Sequence, residues 1–205
     1  LNPSRTMIVS SKSIYTQLFL KRAFDILVAA VLLVVFSPCL LIIYLAQKIT
    51  TRGSAFFLQE RIGRNGKPFM ILKFRTMREN AEENGPQLCN DCHKQSEYTP
   101  IGQFLRHHHI DELPQLFNVL KGDMSLVGYR PERRHFIDLI LQHDSRYAQL
   151  YQMRPGITSE AAIYNGYTDT IEKMLIRLEM DLKYLEHPTL LKDLKILLLT
   201  LKSLF

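Results

Sequence analysis

An apolar run from Ile26 to Ala46 constrains the fold of this chain more than any other segment of its sequence. The run is roughly twenty residues long, which is about the length that an α-helix needs to cross the hydrocarbon core of a bilayer. Helices buried inside water-soluble domains normally keep a polar stripe, and this run shows none. We therefore expect it to be inserted in a membrane.

A serine–proline pair, Ser37-Pro38, lies near the middle of this run. Proline lacks the backbone N–H and clashes with the preceding turn, so a bend is expected, and Ser37 is placed to satisfy a freed carbonyl. Basic residues lie on both sides of the run, at Lys21, Arg22, Lys48 and Arg52. A kinked helix that spans the membrane remains an alternative. We favour a re-entrant helix, because it keeps both basic flanks in the cytoplasm.

Two adjacent carboxylates, Asp111 and Glu112, precede Pro114. Proline is well tolerated in the first turn of a helix, so the pair is predicted to lie at or just before a helix N-terminus. Free N–H groups there favour carboxylates and attract phosphates. The pair is therefore either an ordinary acidic helix start or a site where a carboxylate attacks phosphorus or holds a divalent metal.

Two cations, Lys73 and Arg75, follow a predicted β-hairpin turn at residues 64–67. The two-residue period of a strand puts both on one face, where they either bind a phosphate between them or protect an exposed sheet edge. Arg130 lies in a predicted turn, where it either binds a phosphate or pairs with Glu132 or Asp123.

A polar loop contains Cys89, Cys92 and His93 in the spacing Cys-x-x-Cys-His. This spacing occurs at haem attachment sites and in half of a zinc site, but haem attachment needs an exported chain and zinc needs further ligands. Otherwise both cysteines are free thiols. The run His107-His108-His109 precedes the acidic pair, and it either shuttles protons or forms a solvated helix end.

The formal net charge of +6 suits an anionic partner, such as nucleic acid, anionic lipid or a phosphorylated substrate. Three cysteines in 205 residues argue against a disulfide framework. Residues 190–205 carry leucines at helical spacing with interleaved lysines, so they either cover a core or lie in a membrane interface. The fold class predicted is α+β, mostly helical with a small β-hairpin, an N-terminal re-entrant membrane helix and amphipathic interfacial helices.

Several segments, taken in their order along the chain, resemble the bacterial sugar transferases, the monotopic phosphoglycosyl transferases that load sugar phosphates onto polyprenyl phosphate. The resemblance extends from about Lys21 to the C-terminus. Its segments are Lys21–Asp25 with Ser37-Pro38, Gln59–Gly63, Lys73–Met77, Asp111–Gly128, Arg130-Pro131 and Arg154–Thr158.

The resemblance implies Mg²⁺-dependent transfer of a sugar 1-phosphate from a UDP-sugar to polyprenyl phosphate, with release of UMP. Asp111 matches the family's nucleophile and Glu112 its acidic neighbour, and both are the expected Mg²⁺ ligands. The expected product of the first step is an aspartyl phosphosugar. Contacts to substrate phosphates are assigned to Lys73, Arg75 and Arg130, and also to Arg154.

The resemblance also implies a place in the cell and a division of the chain. We expect residues 1–20 to be an exposed lead-in, residues 21–50 a re-entrant membrane helix, and residues 51–205 a catalytic domain on the cytoplasmic face of the bacterial inner membrane. The expected partners are UDP-sugar, polyprenyl phosphate and anionic membrane lipid, without nucleic acid; a homodimer is left open.

Two other functions compete with this one. A membrane-bound, metal-dependent nucleotide-sugar hydrolase would release sugar phosphate without a lipid acceptor. A non-catalytic basic scaffold or nucleic-acid binder would tolerate loss of the Asp111 carboxylate, and its affinity for nucleic acid would fall steeply with salt. A scaffold gives no reason for the acidic pair to face Lys73, Arg75 and Arg130.

Overall fold

The computed structural model describes residues 11–51, 53–78, 97–166 and 168–203, and these are mostly helical with two small sheets. The helices are α1 (Ser11–Thr50), α2 (Gly102–His107), α3 (Gln115–Lys121), α4 (Arg134–His143), α5 (Glu160–Tyr164), α6 (Ile171–Glu186) and α7 (Leu190–Ser203). The strands are β1 (Phe56–Ile62), β2 (Pro68–Phe74), β3 (Ser125–Val127) and β4 (Gly156–Thr158).

Helix α1 is long and apolar enough to cross a membrane, and only 11% of its most apolar window is buried. It begins at Ser11, inside the segment expected to be a lead-in and well before the predicted start at Lys21. The helix also continues through Pro38. The N–H that Pro38 lacks would have bonded to the carbonyl of Val34, and Ser37 Oγ donates to that carbonyl at 2.8 Å instead.

Two separate parts of α1 pack against the rest of the chain. Before the Ser37-Pro38 pair, Ala29 is fully buried in the main hydrophobic core. After the pair, Ile43 packs with Phe74 of β2 and Leu105 of α2 in a second, smaller core. Residues 34–39 between them are all exposed, although consecutive helical residues point in every direction around the axis. This middle part of α1 therefore stands clear of the domain.

Polar contacts fix α1 at both of these places. Asp25 accepts from Ser125 Oγ at 2.7 Å and from the backbone N–H of Leu126 at 3.2 Å, which ties the first part of α1 to β3. Gln47 is fully buried, and its Nε2 donates to the Arg75 carbonyl at 2.6 Å, just beyond β2. The two ends of the apolar run are thus held by the same domain.

Strands β1 and β2 form the predicted antiparallel hairpin, with Ile62 opposite Pro68 and Phe57 opposite Lys73. Its turn includes Asn65 and Gly66, both with positive φ, which Asn and Gly adopt more readily than other residues. The turn predicted at residues 64–67 is confirmed.

A second sheet, the parallel pair of β3 and β4, was not predicted. Gly156–Thr158 is a strand that pairs with Ser125–Val127. A Cβ atom on Gly156 would lie 2.1 Å from the backbone nitrogen of Gly128, so only glycine allows the two backbones to approach this closely. Such close approach depends on two distant segments, which a local sequence pattern does not reveal.

The C-terminal helix α7 covers part of the core and also exposes an apolar face. Asp193 and Ile196 are buried, whereas Leu191, Leu194 and Leu198 are exposed. Asp193 accepts from Lys21 Nζ at 2.6 Å and from the hydroxyl of Tyr184, so α7 is bonded to α1 and α6. Of the two alternatives for this helix, core coverage is confirmed, and a position in the membrane interface stays a prediction.

Candidate active site

Asp111 and Glu112 lie in a single 3₁₀ turn, Ile110–Glu112, directly before α3. The Glu112 N–H donates to the carbonyl of His109 at 3.2 Å, and His109 itself adopts a left-handed conformation with φ 53°. Pro114 leads into α3, which ends at Gly122 with φ 102°. The predicted position of the acidic pair, just before a helix N-terminus, is confirmed.

Two cations converge on one oxygen of Glu112. Lys73 Nζ lies 2.6 Å from Glu112 Oε1, and Arg130 Nη2 lies 3.8 Å from the same atom. Lys73 and Glu112 are both mostly buried, with 16% and 15% of their side chains exposed. Because burial weakens screening by solvent, this ion pair is much stronger electrostatically than one on the surface.

The pKa values of the two carboxylates are shifted in opposite directions. Burial raises the pKa of Asp111 from 3.8 to about 6, with Lys73 opposing and Glu112 reinforcing the shift. Burial also disfavours the charge of Glu112, but Lys73 and Arg130 outweigh it and lower the pKa of Glu112 to about 2. Glu112 is therefore a permanent anion, whereas Asp111 is a more basic carboxylate whose charge is poorly compensated.

Asn118 holds the strand of Lys73 beside the helix of the acidic pair. Its Oδ1 accepts from the Leu72 N–H at 3.0 Å, and its Nδ2 donates to the Met70 carbonyl at 2.8 Å. The side chain thus acts as an extra strand partner for β2, and it sets the position of Lys73 relative to α3. Sequence reasoning did not assign Asn118 a role, because an amide on a helix gives no local sign of its partner.

Arg106 is a second residue near the site that sequence reasoning missed. It lies in the last turn of α2 and favours the charged form of Asp111, opposing the rise of that pKa. Its guanidinium lies over the Tyr98 ring, with 6.0 Å between Cζ and the ring centroid. The sequence signal was a basic residue only five positions before Asp111. Because α2 and the 3₁₀ turn are separated by two residues, Arg106 and Asp111 must lie near each other.

The other two predicted phosphate ligands occupy different places. Arg75 follows β2. Its backbone N–H donates to the Ala55 carbonyl at 2.9 Å, and its backbone carbonyl accepts from Gln47 Nε2. Arg154 lies at the opposite end of α3 from the acidic pair, where its Nε donates to the Gly122 carbonyl at 2.9 Å. The structure thus brings Lys73 and Arg130 to Glu112 but places Arg154 away from it.

A buried ion cluster supports the turn that carries Arg130. Glu132 accepts from Arg177 Nη1 at 2.8 Å and from Arg61 Nη1 at 3.4 Å, and Arg61 also donates to the Pro131 carbonyl at 3.1 Å. The acidic partner considered for Arg130, Glu132, is therefore engaged by two other arginines. Arg130 instead approaches Glu112, with 39% of its side chain exposed.

Replacing Glu132 with glutamine should destabilise the protein strongly, because two buried arginines would lose their anion. Breaking a buried pair from one side typically costs about 3–5 kcal/mol. The matched control is Glu179→Gln, whose carboxylate pairs with Arg146 and is 46% exposed; we expect it to cost less than about 1 kcal/mol. Thermal unfolding followed by circular dichroism compares the two, and equal losses would show that Glu132 is not a buried anchor.

Within the described residues, no group of three or more His, Cys, Asp or Glu side chains is arranged to hold a metal ion. The segment with Cys89, Cys92 and His93 lies outside the described residues. Of the histidine run, His107 and His108 contact each other, with 4.9 Å between ring centroids, and both are exposed.

A family model described as bacterial sugar transferase matches residues 16–205, which includes the acidic pair and both of its cations. The chain belongs to the bacterial sugar transferase family. The resemblance found in the sequence is thus confirmed, and this sugar transferase carries its acidic pair within the part of the chain that defines the family.

Named relatives support the same family. A protein of Caulobacter vibrioides, named UDP-glucose:undecaprenyl-phosphate glucose-1-phosphate transferase, is 44% identical over 186 residues, which cover 90% of this chain and 69% of the relative. An Aeromonas hydrophila protein, named UDP-N-acetylgalactosamine-undecaprenyl-phosphate N-acetylgalactosaminephosphotransferase, is 38% identical over 186 residues, covering 91% of this chain and 44% of the relative. The Bacillus subtilis sugar transferase EpsL is 37% identical, and 87% of its length is covered.

Proposed function

We propose that this sugar transferase moves a sugar 1-phosphate from a UDP-sugar to undecaprenyl phosphate, giving undecaprenyl-diphosphate-sugar and UMP. The observation that carries the proposal is the pair of unlike carboxylates: a buried, more basic Asp111 beside a Glu112 that Lys73 and Arg130 hold ionised. Relatives named for this transfer, with glucose or N-acetylgalactosamine, support the substrate class. The donor of this transferase is therefore a UDP-sugar of the same kind.

Asp111 is the nucleophile in this mechanism. One of its oxygens attacks the phosphorus that bears the sugar, a P–O bond to the carboxylate forms, and the P–O bond to UMP breaks. An oxygen of undecaprenyl phosphate then attacks the same phosphorus, and the bond to Asp111 breaks to restore the carboxylate. A covalent intermediate lets a soluble and a lipid substrate use one small site in turn. Lys73 and Arg130 offset the negative charge that the phosphates bring beside Glu112.

Mg²⁺ fits this pair of carboxylates as the cofactor. It is commonly bound by one or two carboxylates together with waters and substrate phosphates. The carboxylates of Asp111 and Glu112 would hold the ion, beside the two cations that approach Glu112. When bound, the ion supplies charge neutralisation for the diphosphate, which otherwise repels a carboxylate nucleophile.

The apolar helix α1 is re-entrant in this proposal, with the catalytic domain on the cytoplasmic face of the inner membrane. Three observations support it: α1 packs on the domain both before and after Ser37-Pro38, and residues 34–39 are exposed between these contacts. At 1.5 Å per residue, the leg from Asp25 to Ser37 reaches about 18 Å, roughly half of a bilayer and its interface. A helix that crossed fully would bring only one of its ends to the domain.

Cysteine labelling tests this topology in intact cells. Single cysteines at Lys12→Cys and Lys67→Cys, in a chain whose native cysteines are replaced with serine, report the N-terminal side of α1 and the domain. A re-entrant helix keeps both out of reach of a membrane-impermeant maleimide until the inner membrane is opened. Labelling of Lys12→Cys alone in cells with an intact inner membrane would show that α1 spans.

A transfer assay tests the reaction itself. Purified protein is given UDP-sugars labelled in the sugar, one at a time, with and without undecaprenyl phosphate. With acceptor in excess of enzyme, we expect label in the lipid fraction and an equal amount of UMP, and the panel identifies the sugar. Without acceptor, UMP release should stop at about one per enzyme molecule. A hydrolase would release sugar phosphate without acceptor, and a scaffold would release no UMP.

The pKa of Asp111 predicts how the rate depends on pH. The nucleophile must be ionised, and its pKa of about 6 in the free protein lies within the range of the assay. Mg²⁺ bound to Asp111 would lower this pKa, so at Mg²⁺ concentrations too low to occupy the free protein we expect kcat/KM to rise about tenfold per pH unit below pH 6 and to level off above it. Initial rates of UMP release from pH 5 to 8 measure this profile, and a flat profile below pH 6 would contradict an Asp111 nucleophile with a raised pKa.

A further inference from the structure

Two arginines from distant parts of the chain bond to the C-terminal end of α3, and a third, Arg64, lies in a turn that packs close to one of them. Arg22 of α1 donates through Nη1 to the Val119 carbonyl at 2.8 Å and through Nη2 to the Leu120 carbonyl at 3.2 Å. Arg154 donates through Nε to the Gly122 carbonyl at 2.9 Å. Arg64 begins the turn of the β1–β2 hairpin, and its side chain is exposed. This turn packs beside the segment that leads into Arg154, because a Cβ atom on Gly66 would lie 3.8 Å from the ring of Tyr151. We call these residues the arginine cluster.

Positive charge in the arginine cluster exceeds the negative charge around it. Partial burial lowers the pKa of Arg154, and Arg22 and Arg64 lower it further, while Asp25 acts in the opposite direction. Asp25 already accepts from Ser125 and Leu126, and the end of a helix contributes only about half a negative charge. Part of the charge of the arginine cluster is thus left for a ligand.

Hydrogen-bond donors are also left over in the arginine cluster. Arg154 uses Nε for the Gly122 carbonyl, and the described residues provide no partner for its two Nη groups. The guanidinium of Arg64 forms no hydrogen bond or ion pair with the described part of the chain, and only its backbone carbonyl accepts, from the Lys67 N–H. Two guanidinium groups with available N–H donors are suited to a phosphate, which arginine binds through paired hydrogen bonds.

The arginine cluster lies where α1 enters the membrane in the topology proposed above. Arg22 is one helical turn before the apolar run that begins at Ile26, and Leu20 and Leu27 on either side of it are 48% and 65% exposed. The acidic pair precedes α3, whereas the arginine cluster is at the other end, about 10 Å along the helix axis. This is too far for a phosphate that is bonded to Asp111.

We propose that Arg64 and Arg154, with Arg22 behind them, form a binding site for the phosphate of an anionic phospholipid headgroup, separate from the active site. Its lipid source rests on the proposed membrane orientation, whereas its affinity for phosphate does not. A bound headgroup would hold α3 and the part of α1 around Arg22 at one depth in the membrane interface. Because α3 follows directly after the acidic pair, the depth of that pair would be fixed as well.

The test measures binding of short-chain phosphatidylglycerol to the full chain in a neutral detergent, by native mass spectrometry, with phosphatidylcholine and inorganic phosphate as the other probes. Arg64→Gln is the main variant, because Arg154→Gln also removes a bond to α3. The matched control is Arg146→Gln, which removes the same charge from an exposed arginine paired with Asp144 and Glu179.

We expect wild-type protein to bind phosphatidylglycerol more tightly than phosphatidylcholine, Arg64→Gln to weaken this binding about fivefold, and Arg146→Gln to leave it unchanged. Equal effects of the two substitutions, or equal binding of the two lipids, would overturn the site. Inorganic phosphate that binds as tightly as phosphatidylglycerol would support a phosphate site but overturn its lipid source. Asp111→Asn should bind phosphatidylglycerol normally, so a failure of the proposed catalysis would be recognised separately.

Discussion

Replacing Asp111 with asparagine should lower the rate of sugar phosphate transfer by at least about 10³-fold, because the amide cannot form the bond to phosphorus. UMP release in single-turnover mixtures is the direct measurement, since it reports the first step alone. The matched control is Asp169→Asn, which makes the same change at an exposed carboxylate paired with Lys173. We expect its rate to equal that of the wild type.

Stability separates a lost nucleophile from a lost fold in this experiment. The pKa of Asp111 is raised on folding, so its charged form opposes folding above pH 4, and the opposition is complete above pH 6. Asparagine carries no charge, and Asp111→Asn should therefore melt at or above the temperature of the wild type at pH 7.5. A variant that loses activity and also melts lower would point to a structural role, and full activity would exclude Asp111 as the nucleophile.

The second large effect is expected at the ion pair beside Asp111, where Glu112→Gln should slow transfer by about 10²–10³-fold. The substitution removes a permanent anion and a proposed metal ligand, and it leaves Lys73 without its 2.6 Å partner. Because Glu112 raises the pKa of Asp111, the rising limb of the pH profile should also move to lower pH.

Lys73→Met removes the cation of the same ion pair instead of its anion. Lys73 lowers the pKa of Asp111 and of Glu112, so its loss should move the rising limb of kcat/KM to higher pH while the rate falls. Opposite displacements of the two profiles are specific to an electrostatic unit around Asp111. Profiles that move together, or not at all, would show that Lys73 and Glu112 do not act on this carboxylate.

Local sequence patterns were sufficient for the features that depend on neighbouring residues. The Asn65-Gly66 turn and the start of α3 after Pro114 are confirmed, because each reflects the backbone preferences of the residues themselves. The pairing of Ser37 with a freed carbonyl is confirmed for the same reason. These features place the acidic pair at a helix start, but they do not select its partners.

Features that depend on distant residues were not predictable in the same way. The parallel pairing of β3 with β4 joins strands of three residues, too short to show a period. Asn118 and Arg106 act through contacts made only in the folded protein, and Arg154 lies at the opposite end of α3 from the acidic pair. In each case the chemistry of the residue was visible in the sequence, whereas its partner was set by the fold.

The most direct test of the proposed mechanism is the intact mass of the protein after incubation with its UDP-sugar and Mg²⁺ in the absence of undecaprenyl phosphate. The mechanism predicts a fraction of protein heavier by one sugar phosphate, located on the peptide that contains Asp111, absent from Asp111→Asn and lost when undecaprenyl phosphate is added. Transfer by a protein that never gains this mass, with UMP released only when the lipid acceptor is present, would contradict a covalent intermediate.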